Sequence, residues 1–182
     1  MPTYKITNPE AAKACKAYNA AEEALREIGS GFAARYPGSK AVYAYDAHGI
    51  RLFGLAFTPA NPSPLWTRPQ RDGGEIQRPR TAPAKNVKGE ERRQQVADLK
   101  ALNEEWAAHY PKAAKVDREP VLTAMGTDWG SAMICGISYF EHEGVVYVKT
   151  SMQPREGWQE IFNSEYEEAY HASKAAAKAV AA

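Results

Sequence analysis

A basic, proline-rich stretch holds the side chains that could most readily do chemistry. Arginine suits two-pronged contact with phosphate or carboxylate and also stacks on flat rings. A tryptophan among such cations could stack on a nucleobase or on another flat ligand. We call residues 59–88 the basic loop. We predict that its ligand-binding residues are Trp66, Arg68, Arg71, Arg78, Arg80 and Lys85.

The attraction of the chain for anions must be local, because its formal net charge is only +1. Residues 59–93 carry eight cations against the four carboxylates of Asp72, Glu75, Glu90 and Glu91. Six prolines stiffen the basic loop, so it loses less entropy on ordering. These features favour a pre-shaped surface for an anion or a nucleotide.

A structural interpretation of the basic loop stays open beside the functional one. The loop would then be a solvated segment held against the folded core, with Trp66 as its apolar anchor and its arginines paired to carboxylates of that core. Long loops without regular structure in compact domains are often functional or disordered. The sequence alone does not choose between the two interpretations.

Metal, cofactor and nucleophile motifs are missing from the sequence. The four histidines fall in no HExxH pattern, and no CxxC pair occurs. His142 stands between Glu141 and Glu143, but adjacent strand residues point to opposite faces. The run from Gly136 to Phe140 lacks the final glycine of a nucleophile elbow. We therefore predict no metal, no cofactor, no catalytic residues and no enzyme, with an undetected hydrolase or nuclease as the remaining alternative.

Periodicity and turn residues predict helices and hairpins on both sides of the basic loop. Asn8 is a plausible helix cap, and Gly29-Ser30-Gly31 is expected to interrupt that helix after Ile28. Residues 4–6 are expected to form an edge strand. The other predicted elements are a hairpin over 40–57, a helix over 89–109 with the apolar stripe Val96, Leu99, Leu102 and Trp106, a hairpin over 131–152 and a helix over 159–182.

These elements predict one α+β domain spanning residues 1–182. Its small antiparallel sheet is built from the two hairpins and packed by two to three helices, and an alanine-rich tail covers residues 172–182. Cys15 and Cys135 are expected to be buried free thiols. No signal peptide or membrane span is predicted, which favours the cytoplasm of the host cell.

Several short blocks resemble small accessory proteins of temperate phages and prophages. They are Gly54 to Phe57, Leu65 to Arg68, Arg78 to Thr81, Lys88 to Glu90 and Ile161 to Tyr166. The resemblance implies a phage-borne cytoplasmic protein and brings no catalytic residues with it. Phage accessory genes of this size often encode inhibitors of host defence, which is an association rather than a physical argument.

The function expected from the sequence is that of a non-enzymatic counter-defence protein. Its partner would be a host defence protein, or that protein's nucleotide or nucleic-acid ligand, held by the basic loop. The alternative is a structural or regulatory protein-interaction module that forms a homodimer. In that case the partner surface would be the stripe of Phe162, Tyr166 and Tyr170 on the last helix, although core packing is the commoner role of such a stripe.

Overall fold

The structure, a computed structural model, confirms the α+β class. It describes residues 1–46, 48–67, 77–113 and 116–180, without the side chains of residues 109–113, 178 and 180. The elements in chain order are β1 (Thr3–Ile6), α1 (Pro9–Arg35), β2 (Ser39–Tyr45), β3 (Ile50–Phe57), α2 (Gly89–Ala113), β4 (Val116–Asp117), α3 (Glu119–Ala124), α4 (Trp129–Cys135), β5 (Ile137–His142), β6 (Val145–Thr150), β7 (Trp158–Ile161) and α5 (Asn163–Val180).

The chain divides into two compact units. The terminal unit comprises Met1–Ala20 and Asp117–Ala182, and the middle unit comprises Ala21–Val116. Both predicted hairpins form, but they enter two separate sheets rather than one. The four-stranded sheet has the order β5-β6-β1-β7, and the three-stranded sheet has the order β2-β3-β4. The assignment of residues 1–182 to a single domain stays a prediction.

Helix α1 begins where its cap predicts and continues past its expected end. The backbone N–H of Glu10 donates to the side-chain oxygen of Asn8 at 2.9 Å. The predicted interruption at Gly29-Ser30-Gly31 is wrong, since α1 runs on to Arg35. A Cβ at Gly29 would lie 2.5 Å from the Tyr43 hydroxyl oxygen. Glycine at this position therefore permits close helix–strand approach instead of breaking the helix.

The terminal strands of the four-stranded sheet differ from the prediction. Strand β1 was expected at an edge, but it lies between β6 and β7 and pairs antiparallel with both. Residues 159–161 were assigned to the last helix, but they belong to β7, and α5 begins only at Asn163. The backbone pairing of β7 with β1, a contact distant in sequence, outweighs the local helical pattern.

The segment before β5 is helical, although its apolar residues predicted a strand. Asp128 caps α4, and its carboxylate accepts the backbone N–H of Ser131 at 2.8 Å and the Ser131 hydroxyl at 3.0 Å. These two hydrogen bonds hold the pKa of Asp128 below its usual range, and the bond from the Ser131 backbone has the larger effect. Cys135 therefore ends a helix and is only partly buried, so its expected burial in an apolar strand is wrong.

The middle unit is built on the β2–β3 hairpin, as the turn residues predict. Asp46 accepts the backbone N–H of His48 and of Ile50, and Gly49 adopts a φ of 78°. Phe53 and Leu55 are fully buried on one face of β3. The ring centroid of Phe53 lies 4.7 Å from that of Trp106, so α2 packs against this face.

Helix α2 is longer than predicted, and one residue of its predicted apolar stripe is exposed. It runs to Ala113 rather than ending at His109, because a proline in the last turn removes only one backbone hydrogen bond. Leu99 and Leu102 are buried as predicted, whereas Val96 is 50% exposed. Gln95 takes the expected inward place of Val96, and its side chain is 6% exposed. A polar residue therefore lies within the buried face of this helix.

Cys15 is the buried thiol of the terminal unit. Burial first, and the Glu141 carboxylate second, raise its pKa from 9.0 to about 12, while a contact from Asn19 opposes them. In the unfolded chain the thiol ionises near pH 9, whereas the folded chain keeps the proton. Stability is therefore expected to fall as pH rises above 9, by up to about 1.4 kcal/mol per pH unit for this group.

Denaturant unfolding at about pH 8 and about pH 10.5 checks this effect in the wild type and in Cys15→Ala, because the two pH values bracket the ordinary thiol pKa. The wild type should lose more stability between the two pH values than the variant does. Equal losses would show that Cys15 carries no such linkage.

Among the described helices, none is long and apolar enough to cross a membrane.

Candidate functional site

The two described arms of the basic loop, residues 59–67 and 77–88, pair with each other. The N–H of Thr67 donates to the carbonyl of Arg78 at 2.8 Å, and the N–H of Arg80 donates to the carbonyl of Leu65 at 2.8 Å. Gln77 exchanges two backbone hydrogen bonds with Leu55 of β3. The loop is thus bound to β3 by backbone pairing, which its proline-rich sequence did not predict.

Trp66 anchors this pairing from within the core. Its side chain is 1% exposed, and its ring lies 5.4 Å from the ring of Tyr36 and 5.5 Å from that of Trp106, centroid to centroid. Phe57 and Phe32 complete the aromatic cluster at 5.9 and 6.3 Å. Trp66 therefore takes the anchoring position of the structural interpretation, and its ring packs among other aromatic rings.

Arg80 links the second arm to the first arm through its guanidinium Nε and to α2 through its carbonyl oxygen. Its Nε donates to the carbonyl oxygen of Trp66 at 2.9 Å, and its own carbonyl accepts from the Asn103 amide at 2.8 Å. Within the described residues no ion pair reaches Arg80 or Lys85. The structural interpretation expected loop cations paired to body carboxylates, and neither of these two shows such a pair in the described part of the chain.

A cleft of about 450 Å³ lies between the basic loop and the start of α2. Phe57, Pro62, Pro64 and Val87 contribute apolar walls, while Gln95 and Arg80 bring polar groups to it. A neighbouring cleft of about 570 Å³ adds Lys85 and shares some of the same lining residues. The shared residues are Thr67, Arg80, Ala84 and Asn86. An apolar chamber therefore adjoins a cationic one, with Arg80 on both.

Two residues that line the first cleft each carry a buried polar atom with no hydrogen-bond partner among the described residues. These atoms are the indole nitrogen Nε1 of Trp66, a donor, and the amide oxygen Oε1 of Gln95, an acceptor. The Nε2 of Gln95 is used, donating to Glu91 at 3.4 Å. Leaving a buried polar group unpaired costs about 1–3 kcal/mol. A ligand that donates one hydrogen bond and accepts another could therefore offset the cost of these two unpaired atoms.

The structure brings together only part of the predicted ligand-binding set. Arg80 and Lys85 line one cleft, and Trp66 lies in the wall beside it. Arg78 is exposed on the same arm. Arg68 and Arg71 lie outside the described residues. Whether any of these residues binds a ligand stays a prediction.

Sequence reasoning missed Gln95, Glu91 and Phe57 as lining residues of the cleft. Gln95 precedes Leu99 by four residues and Leu102 by seven, so all three share one face of α2. A polar residue in register with an apolar stripe was the available signal. The predicted stripe began at Val96 instead, which is wrong for that residue only, since Leu99 and Leu102 are buried.

The other groups singled out in the sequence lie in the terminal unit. Glu141 accepts the N–H of Gly144 in the turn between β5 and β6 and pairs with Lys16 at 3.3 Å. Across the described residues, no three His, Cys, Asp or Glu side chains come together as metal ligands. Of the predicted aromatic stripe, Tyr166 on α5 is 7% exposed and packs against Phe140, whereas Phe162 precedes α5 and is 83% exposed.

The fold and the loop-bound cleft define an α+β protein with a candidate small-ligand site. The sequence matches the family model described as "Bacteriophage Mu gene product 12" over residues 1–179. The chain therefore belongs to this phage protein family, which confirms the resemblance drawn from the short blocks. No curated protein and no solved structure matches the chain.

Proposed function

We propose that this phage protein is a non-enzymatic binding protein whose basic loop holds a phosphate-bearing ligand, a nucleotide or nucleic acid. Its role would be to withhold that ligand from a host defence system. The observation that carries the proposal is the position of Arg80 and Lys85. Both line one cleft, and neither has an ion pair within the described residues.

Order in the two described arms of the basic loop supports binding rather than mere connection. Backbone pairing fixes Thr67, Arg78 and Arg80, and the Asn103 amide holds the Arg80 carbonyl. A cationic surface that is already ordered loses little entropy when an anion binds. Arginine and lysine on such a surface are suited to phosphate, arginine through its fork and lysine as a point charge.

The counter-defence role has a different kind of support. It comes from membership of a phage family and from the frequency of such roles among phage accessory proteins, which is association and not physics. A defence protein with an acidic surface would meet the same cations. The nucleotide version takes precedence because an apolar chamber adjoins the cations, as a base-and-phosphate ligand requires.

Salt dependence of binding to a single-stranded oligonucleotide tests the proposal. Affinity should fall steeply with salt, since phosphate contacts release counterions. Lys85→Ala should weaken binding and make the log–log salt slope shallower by about 0.7, the value for one contact on a single strand. Lys85 suits the test because its exposed side chain has no ion pair in the described structure.

Arg93→Ala is the matched control for that measurement. Arg93 carries the same charge, lies on the exposed side of α2 and pairs with Glu90 at 3.1 Å. It lines neither cleft, so its loss should leave the salt slope nearly unchanged. Salt-independent binding, or equal effects of the two substitutions, would contradict a phosphate site at the basic loop.

A further inference from the structure

We infer that the ligand is specifically a nucleotide whose base enters the apolar cleft and whose phosphate lies at Lys85 and Arg80. This inference rests on the proposed function and assigns chemistry to its two adjoining chambers. The single most telling feature is that two lining residues of this cleft, Trp66 and Gln95, carry an unmatched donor and an unmatched acceptor. A ligand that satisfies both atoms must accept one hydrogen bond and donate another.

A nucleobase edge has this composition. Each base carries a neighbouring donor and acceptor on its Watson–Crick edge, and proteins bind extruded bases through that edge and through apolar walls. Trp66 would donate to the acceptor of the base, and Gln95 would accept from its donor. Because every base offers such a pair, these two residues recognise a base as a class and do not choose among the four.

The walls and the size of the cleft agree with a flat heterocycle. Phe57, Pro62 and Pro64 give it apolar surfaces, and its volume of about 450 Å³ lies in the range of small-ligand sites. Phosphate could not occupy this chamber favourably, since Glu91 is a lining residue and brings negative charge. The anionic end of the ligand belongs instead in the neighbouring cleft, where Lys85 lies and no carboxylate lines the wall.

Arg80 connects the two chambers, since it lines both. Its Nε is committed to the carbonyl of Trp66, which couples the position of the guanidinium to that of the indole. The Trp66 and Gln95 atoms are shielded from solvent. The cleft wall must therefore adjust around the base for the edge of the base to reach them. Binding is therefore expected to relieve two unpaired buried groups at once.

Calorimetric titration with three classes of probe tests the inference. The probes are the ribonucleoside monophosphates, the corresponding nucleosides and inorganic phosphate. Monophosphates should bind tightest and nucleosides more weakly. Trp66→Phe and Gln95→Met should each lower the affinity for both monophosphate and nucleoside about tenfold, as expected for one lost hydrogen bond. Lys85→Ala should lower the affinity for monophosphate and leave nucleoside binding unchanged.

Matched variants keep the titration interpretable. Trp129→Phe removes an indole from a residue that lines neither cleft, so it should leave every affinity unchanged. Gln95→Met keeps the side-chain volume, and circular dichroism checks that both cleft variants remain folded. If one of them unfolds, the other decides the test. A single-stranded oligonucleotide that binds more tightly than any monophosphate would identify a strand as the source of the nucleotide, and the reverse order would identify a free nucleotide.

The outcomes separate this inference from the proposed function. Phosphate or oligonucleotide binding that depends on Lys85 but is untouched by Trp66→Phe and Gln95→Met would overturn the base site and leave the anion surface standing. Failure of every phosphate-bearing probe to bind would overturn both. Loss of nucleoside affinity in the two cleft variants, with Lys85 affecting only the phosphate-bearing probes, is the result that the inference predicts.

Discussion

Trp66→Ala is expected to destabilise the protein by about 3–5 kcal/mol, which is a large share of the about 5–15 kcal/mol typical of a folded domain. The side chain is 1% exposed and contacts the rings of Tyr36, Phe57 and Trp106. Its removal leaves a cavity where the basic loop meets the core. Denaturant unfolding followed by circular dichroism gives the free energy of unfolding.

Phe162→Ala is the control for Trp66→Ala. Phe162 is also a large aromatic residue, but it is 83% exposed, so its removal should change stability by no more than about 0.5 kcal/mol. A loss below about 1 kcal/mol for Trp66→Ala would mean that Trp66 is not an anchor, since buried aromatic truncations cost several times more. The loop would then have to be held by its backbone pairing alone.

Trp158→Ala is expected to cost a similar amount, about 3–5 kcal/mol, in the terminal unit. Trp158 is 8% exposed, and its ring lies 5.4 Å from that of Tyr4. Unlike Trp66, it uses its indole nitrogen, which donates to the carbonyl of Met125 at 2.7 Å. This difference predicts a different response to a milder substitution at the two tryptophans.

Replacing each tryptophan with phenylalanine isolates the contribution of the indole N–H. Trp158→Phe leaves the Met125 carbonyl without this donor in a buried place, which adds about 1–3 kcal/mol to the cost of lost volume. Trp66→Phe removes an N–H that has no partner among the described residues, so only lost volume counts. Trp158→Phe should therefore be the more destabilising change in urea unfolding. The opposite order would show that the Trp66 N–H is paired in solution.

Local signals in the sequence predicted where helices and turns form better than they predicted which strands pair with each other. The Asn8 cap and the turn at Gly49 were readable because their hydrogen bonds join residues close in the chain. The strand character of residues 158–161 was not readable, because it depends on pairing with β1 across the length of the chain. The same reason explains why two hairpins predicted one sheet and formed two.

The candidate site was predictable in composition and not in arrangement. The basic loop was identified from its cations and from Trp66, yet its backbone pairing with Leu55 needs a partner outside the loop. Gln95 was hidden because a single polar residue in a helix normally faces solvent. Only the packing of α2 beside the loop places Gln95 in the wall of the cleft.

The most direct test of the central claim is the mass and absorbance spectrum of whatever the protein retains when purified from phage-infected cells. The measurement is made at low salt and again at about 0.5 M salt, where screening weakens phosphate contacts. We predict a nucleobase absorbance and a matching mass at low salt, both removed at high salt and both reduced in Lys85→Ala. The bare mass of the chain at low salt, unchanged after incubation with a nucleotide extract of the same cells, would contradict the account.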